Sequence, residues 1–388
     1  MPCAIWNRSA IQRKSGSSFW KDRQNGDGNG RARLMKAVLR CDASSAVGAG
    51  HVVRSLAIAD FLAGQGWQCW FVTTEQHVEI YTGLSSSDHH VVTLPPDALF
   101  NPDALAAAAG DSADLLILDH YQLGIEYETA CRDWADRVAV IDDLADRRHD
   151  CDVLVDQAPG RTTKDYRHLV PDHCCLLLGS GFALLREEFG LHRPAALERR
   201  ETAAVQRVLV AFGGTDTKQM TSLALLALSK LDGSYEVVVV AGREAVAVQA
   251  GKQLEQLGLS GAVHYGASNV AELMRDSDIA VGAAGVSSLE RCALALPTVA
   301  VVTAENQRRL ATSLAATGAL FLAGDAETVE EQDLGRAIEE LATSPSRYQR
   351  MVRAAAAQCD GSGISRVAAV LQESQILAGQ TSFTKGAG

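Results

Sequence analysis

The sequence predicts an α/β protein of two tandem domains, each a parallel sheet covered by helices, with the two sheets facing each other across a cleft. Three observations carry that prediction. The chain has 388 residues, 47% of them apolar, more than one hydrophobic core usually supports, so two domains of roughly 150 to 200 residues are expected. Short apolar runs of strand length alternate with stretches of helical period, a pattern that demands a sheet buried on both faces. A glycine-bearing turn follows the first such run of each half, where sheets of this kind bind their ligands.

Residues 1–34 stand apart: seven Lys/Arg against two Asp, a Gly/Asn run over 25–30, and no apolar period. They lack the continuous apolar stretch of a signal peptide and are expected to be a disordered extension, with Met35 a candidate for the functional start. Strands are expected over 38–40, 69–73, 115–118, 138–141 and 153–155, with a helix over 53–62, making a first domain of 35–192. The charged segment 193–206 reads as a linker. Strands over 208–212, 237–241, 263–266, 279–282 and 299–302, with a helix over 220–231, make a second domain of 207–371. A polar tail, 372–388, follows.

Composition narrows the function. A formal net charge of −11 without a basic stripe argues against non-specific nucleic-acid binding, which needs cationic surface. No run approaches 18 apolar residues, so no stable membrane association is expected. Nine scattered cysteines, odd in number and without Cys-x-x-Cys spacing, fit idle thiols in a reducing, cytoplasmic setting better than disulfides or zinc. The sequence leaves the oligomeric state open.

The chemistry is expected in the turns. In the first, Gly48 and Gly50 let the backbone approach a ligand, and His51 falls in the first turn of the following helix. The helix dipole there disfavours a second positive charge, so the ring is expected to accept a proton, as activation of a water would require; the alternative is a tight turn with His51 as a cap. His120 and His149 read as structural or solvated. In the second turn, Gly213 and Gly214 offer amides at a helix N-terminus to a diphosphate. The pattern is neither a lysine-bearing P-loop nor a full dinucleotide fingerprint, which disfavours a nucleoside triphosphatase or a dehydrogenase. In the third, Gly285, Ser287 and Ser288 suit phosphate contacts and Glu290 suits ribose hydroxyls. The Ser287 to Glu290 spacing fits a capping box equally well. Tyr121, Asn306 and Gln307 lie in loops after strands and offer neutral hydrogen bonds suited to a hydroxylated or acetamido sugar, though each taken singly reads as a turn residue. Asp142 and Asp143, with Asp146, Arg147, Arg148 and His149, read as an exposed, salt-bridged loop, and no spacing selects a metal.

Taken in order, these motifs resemble a known family. The strings are Arg40-Cys41-Asp42-Ala43-Ser44, Gly48-Ala49-Gly50-His51-Val52-Val53-Arg54, Asp119-His120-Tyr121, Ile141-Asp142-Asp143-Leu144-Ala145, Leu184-Leu185-Arg186-Glu187-Glu188-Phe189, Phe212-Gly213-Gly214-Thr215-Asp216 and Asn306-Gln307. Over about residues 35–370 the chain is similar to the PseG hydrolases of the pseudaminic acid pathway, which remove UDP from UDP-2,4-diacetamido-2,4,6-trideoxy-β-L-altropyranose. The resemblance implies a GT-B fold of two Rossmann-like domains, related to that of the glycosyltransferase MurG, and a UDP-sugar substrate with no metal or other cofactor. It implies that His51 is the general base, with Tyr121 and Asn306 beside the sugar. It also implies that Gly48, Gly50, Arg54, Gly213, Gly214, Thr215, Asp216, Gly285, Ser287, Ser288, Glu290 and Gln307 hold the substrate. The sequence departs from the family in residues 1–34 and in Ala283-Ala284-Gly285-Val286, where relatives are richer in glycine. The expected reaction is attack of water at C1 with inversion. A UDP-sugar-dependent glycosyltransferase and a non-catalytic UDP-sugar-binding partner are the rival readings. A transferase would not release sugar without an acceptor, and a binding module gains nothing from a base near C1.

Overall fold

A computed structural model describes residues 34–41, 50–76, 82–110, 112–202, 204–214 and 216–373. The expected extension, apart from Leu34, and the tail beyond Glu373 lie outside these residues, as do Gly48 and Thr215.

Two parallel sheets form the framework. The first joins β1 (Lys36–Cys41), β2 (Gln68–Thr73), β3 (His90–Thr93), β4 (Leu115–Asp119), β5 (Val138–Ile141), β6 (Val153–Asp156) and β7 (Cys175–Leu178) in the order β3-β2-β1-β4-β5-β6-β7. The second joins β8 (Arg207–Ala211), β9 (Glu236–Ala241), β10 (Gly261–Tyr265), β11 (Ile279–Ala283), β12 (Thr298–Val302) and β13 (Phe321–Asp325) in the order β10-β9-β8-β11-β12-β13. The central strands are unbroken apolar runs because each face meets a different core. Ala37 and Leu39 of β1 enter one cluster with Ile58 and Leu62, while Val38 enters another with Leu116 and Val140. Each sheet changes winding direction beside its first strand, between β1 and β4 and between β8 and β11, which places a crevice at those carboxyl ends.

Five helices bear on the site: α1 (Gly50–Ala63), α2 (Glu187–Arg199), α3 (Met220–Ser229), α4 (Ser287–Ala293) and α5 (Gly363–Gln372). Two expectations are corrected. The first half of the segment read as a charged linker, 193–199, belongs to helix α2, whose Phe189 and Ala196 are buried. Its charges are structural: Arg193 donates to the Cys359 and Ala356 carbonyls, both at 2.8 Å, and buried Arg200 to those of Met274 and Ser277, at 2.7 and 2.9 Å. These carbonyls lie at or just beyond helix ends, where a guanidinium is favoured. Second, α5 does not belong with the second sheet as the 207–371 boundary implies. Its Ile364, Val367 and Leu371 complete the first sheet's core, and Arg137 donates to the Leu371 carbonyl at 2.7 Å. The close approach depends on Gly363, where a Cβ would lie 2.4 Å from the Ala183 carbonyl oxygen.

Among the described residues, no helix is long and apolar enough to cross a membrane.

Candidate active site

The carboxyl ends of the two sheets enclose a cavity of about 770 Å³, lined from both domains, within the usual range for a small-molecule site. The domains nearly touch at its wall: a Cβ on Gly50 would lie 3.5 Å from Cγ2 of Val286.

On the first-domain side, α1 begins at Gly50, so His51 sits in its first turn. One helical turn on, Arg54 shares its face. Both reach Asp119, the last residue of β4. His51 Nδ1 lies 2.5 Å from Asp119 Oδ1, and Arg54 donates to both carboxylate oxygens, from Nε at 2.6 Å and Nη2 at 2.5 Å. Burial alone would raise the Asp119 pKa, but the charges and hydrogen bonds of Arg54 and His51 hold it well below the usual carboxylate range. Burial opposes the Arg54 charge in turn, and Asp119 and Asp143 outweigh it, raising the guanidinium further. An ionised Asp119 must receive a proton from Nδ1, which leaves Nε2 as the acceptor of the neutral ring. The His51 side chain is only 7% exposed, yet it lines the cavity. Its ring meets that of Tyr121 edge-on, at 4.6 Å between centroids and 89° between planes. Tyr121 in turn accepts a hydrogen bond across the cleft from Asn306 Nδ2 at 3.5 Å. Burial and the Asp143 charge push its phenol well above the usual tyrosine pKa, so it acts as a neutral hydroxyl.

On the second-domain side, Gly213, Gly214, Asp216, Gly285, Ser287, Glu290, Asn306 and Gln307 line the cavity. The Gly213–Gly214 turn is not itself a helix N-terminus as expected: α3 starts only at Met220, and the Asp216 carboxylate caps it, accepting from the Met220 and Thr221 amides at 2.9 and 3.0 Å. Gly213 takes φ 81°, and the turn rests on Gly242, where a Cβ would come within 2.5 Å of Gly214 Cα. The capping box open to Ser287 and Glu290 does not form. Val286 occupies the cap position without a side-chain hydrogen bond, which leaves Glu290 free for a ligand. Its burial raises the carboxyl pKa against the pull of Arg186. Gln307 is fixed by accepting from the Thr303 amide at 3.0 Å.

Ser288 lies behind this wall, its hydroxyl accepting from buried Arg291 at 2.9 Å. Arg54 lines the cavity, but its guanidinium is engaged by Asp119 and Asp143. His120 is structural, its Nδ1 accepting from the Gln122 amide at 3.0 Å. His149 is buried against Glu128 at 2.6 Å. The 142–149 loop is not uniformly exposed. Asp142 is 1% exposed and accepts from Tyr166 and Arg147, both at 2.9 Å, and Arg147 also holds the Tyr121 loop through the His120 carbonyl at 2.8 Å. Among the described residues no group of three or more His, Cys, Asp or Glu is placed to hold a metal ion. Sequence reasoning gave no role to Asp119 or Asp143. The available signal was the position of each at, or just beyond, the carboxyl end of a predicted strand.

Comparison with known proteins agrees with this architecture. Residues 207–367 match the Glycosyltransferase family 28 C-terminal domain. The chain is 26% identical over 289 residues, 73% of its length and 97% of the relative's, to the UDP-2,4-diacetamido-2,4,6-trideoxy-β-L-altropyranose hydrolase of Campylobacter jejuni. In structure it is similar to Acinetobacter baumannii MurG, with TM-score 0.63 and 14% identity over 88% of this chain and 99% of that one. It is also similar to LpCGTa, solved in complex with UDP, with TM-score 0.56 and 13% identity over 88% of this chain and 100% of that one. The fold is GT-B.

Proposed function

We propose that this chain hydrolyses a UDP-linked 2,4-diacetamido-2,4,6-trideoxyhexose to UDP and the free sugar, a step of pseudaminic acid synthesis. The observation that carries the reading is the His51–Asp119–Arg54 chain, opening onto a cavity shared by two GT-B halves, together with the likeness to a hydrolase of that substrate.

The second domain holds UDP, with Glu290 accepting from the ribose hydroxyls and the Gly213 and Gly285 turns facing the diphosphate. The sugar then lies against His51, Tyr121 and Asn306. A water on the face of C1 opposite UDP gives its proton to His51 Nε2 as its oxygen bonds to C1. The C1–O bond to UDP breaks, and the electron pair leaves with the diphosphate, inverting the anomeric centre. Asp119 balances the charge of the imidazolium, and Arg54 fixes the carboxylate in place. UDP is a good leaving group, so no general acid is required if amides and hydroxyls meet the developing charge.

The test is the purified chain with UDP-sugar and no acceptor, followed by proton NMR from the first minute. Equal amounts of UDP and sugar, the sugar first appearing as the inverted anomer, are expected. Turnover only after an alcohol is added would make the protein a transferase.

A further inference from the structure

Asp143 lies just past β5, on the first-domain wall of the cavity. Its backbone carbonyl is held by Arg161 Nη2 at 2.6 Å, and Oδ2 takes a hydrogen bond from Arg54 Nη1 at 3.2 Å. Oδ1 is shielded from solvent and has no hydrogen-bond partner, although the side chain as a whole is 24% exposed. A carboxylate oxygen shielded from solvent and without a protein donor is costly, and such an atom calls for an explanation. The torsion that exchanges the two oxygens is soft, so a small turn presents the unpartnered atom to a ligand in the cavity. The ligand group cannot be the diphosphate, which a carboxylate repels. It must be a neutral donor, and on this wall, beside Arg54 and Tyr121, the proposed substrate presents its sugar.

We propose that Asp143 is a specificity-determining residue, its carboxylate accepting a hydrogen bond from an acylamino N–H of the sugar and so selecting acylamino sugars over analogues without that donor. The proposal rests on the UDP-sugar reading of the cavity. It differs from the roles of Asp119 and Arg54, which act on His51.

The experiment compares wild type with Asp143→Leu and Asp143→Ala on the UDP-linked diacetamido sugar and on two analogues, each with one acetamido group replaced by hydrogen. UDP affinity is read by calorimetry. For Asp143→Ala a loss in kcat/KM of about 10- to 100-fold on the diacetamido sugar, mostly in KM, is expected, the usual worth of a hydrogen bond to a charged group. On one analogue the loss shrinks to within about threefold, because the partner is already gone, and UDP affinity is unchanged in all variants. No loss, an equal loss on all three sugars, or a fall in kcat at constant KM would overturn the proposal, the last by showing an action through Arg54. Should Asp143→Ala not fold, Asp143→Leu, which is of comparable size and carries no acceptor, takes its place under the same criteria. If the wild type turned over none of these sugars, the hydrolase reading would fall. Calorimetry with the three UDP-sugars would still decide on Asp143: weaker binding of one analogue by wild type, abolished as a difference in Asp143→Leu, supports it, and equal binding of all three overturns it.

Discussion

The proposed base His51 is held by Asp119, and Asp119 is the residue to test. Asp119→Asn preserves the shape but can donate to Nδ1 and so favour the wrong tautomer. Turnover is expected to fall by about 10²- to 10⁴-fold with UDP affinity within a few-fold. The substitution also leaves Arg54 buried with only Asp143, so urea unfolding should show a loss of about 3 kcal/mol at neutral pH. The pH dependence follows from the depressed Asp119 pKa. The unfolded chain takes up this proton near pH ~4 and the folded chain only at stronger acidity. The carboxylate's contribution is therefore complete above that unfolded value and is lost as pH falls toward the folded one. Wild type should lose stability on acidification more steeply than Asp119→Asn, and parallel curves would contradict the assignment. That His51, Tyr121 and Asn306 line one cavity was foreshadowed by the position of each beside a strand end or a glycine turn. Asp119 was not, because its partner is 68 positions away in the chain, a relation that only strand order creates.

At the scale of elements, the Gly213–Gly214 turn of the second domain depends on one backbone crossing. A methyl at Gly242 would collide with Gly214, so Gly242→Ala must displace the Gly213–Gly214 turn. UDP affinity should fall at least about tenfold, while the thermal midpoint, read by differential scanning calorimetry, moves in line with the ~1–3 kcal/mol usual for overpacking. Unchanged UDP affinity would show that the turn does not contact the ligand. The central strands were readable because burial on both faces removes polar alternation. The edge strands β3, β7 and β13 were not: they are short and largely half-buried. Helix α2 was hidden by its Arg193 and by Arg200 just beyond it, whose charges suggest solvent although they serve backbone carbonyls.

The whole molecule is two sheets sewn together twice, once through α2 and once by the return of α5 to the first core. Hydropathy patterns locate such a helix but not the sheet it covers, which is why α5 was assigned to the wrong half. Val367 is fully buried there. Val367→Asp should destabilise the fold by more than about 3 kcal/mol, whereas a chain whose last helix were peripheral would tolerate it in a thermal melt. Residues of both halves line one cavity, and the central claim of the proposed function is that His51 is its proton acceptor. The most direct measurement is the single-turnover rate of His51→Ala on the UDP-sugar, with UDP affinity read on the same sample. A rate reduced by about 10²- to 10⁴-fold, with UDP bound as in wild type, is the result predicted; a near-wild-type rate would contradict the account.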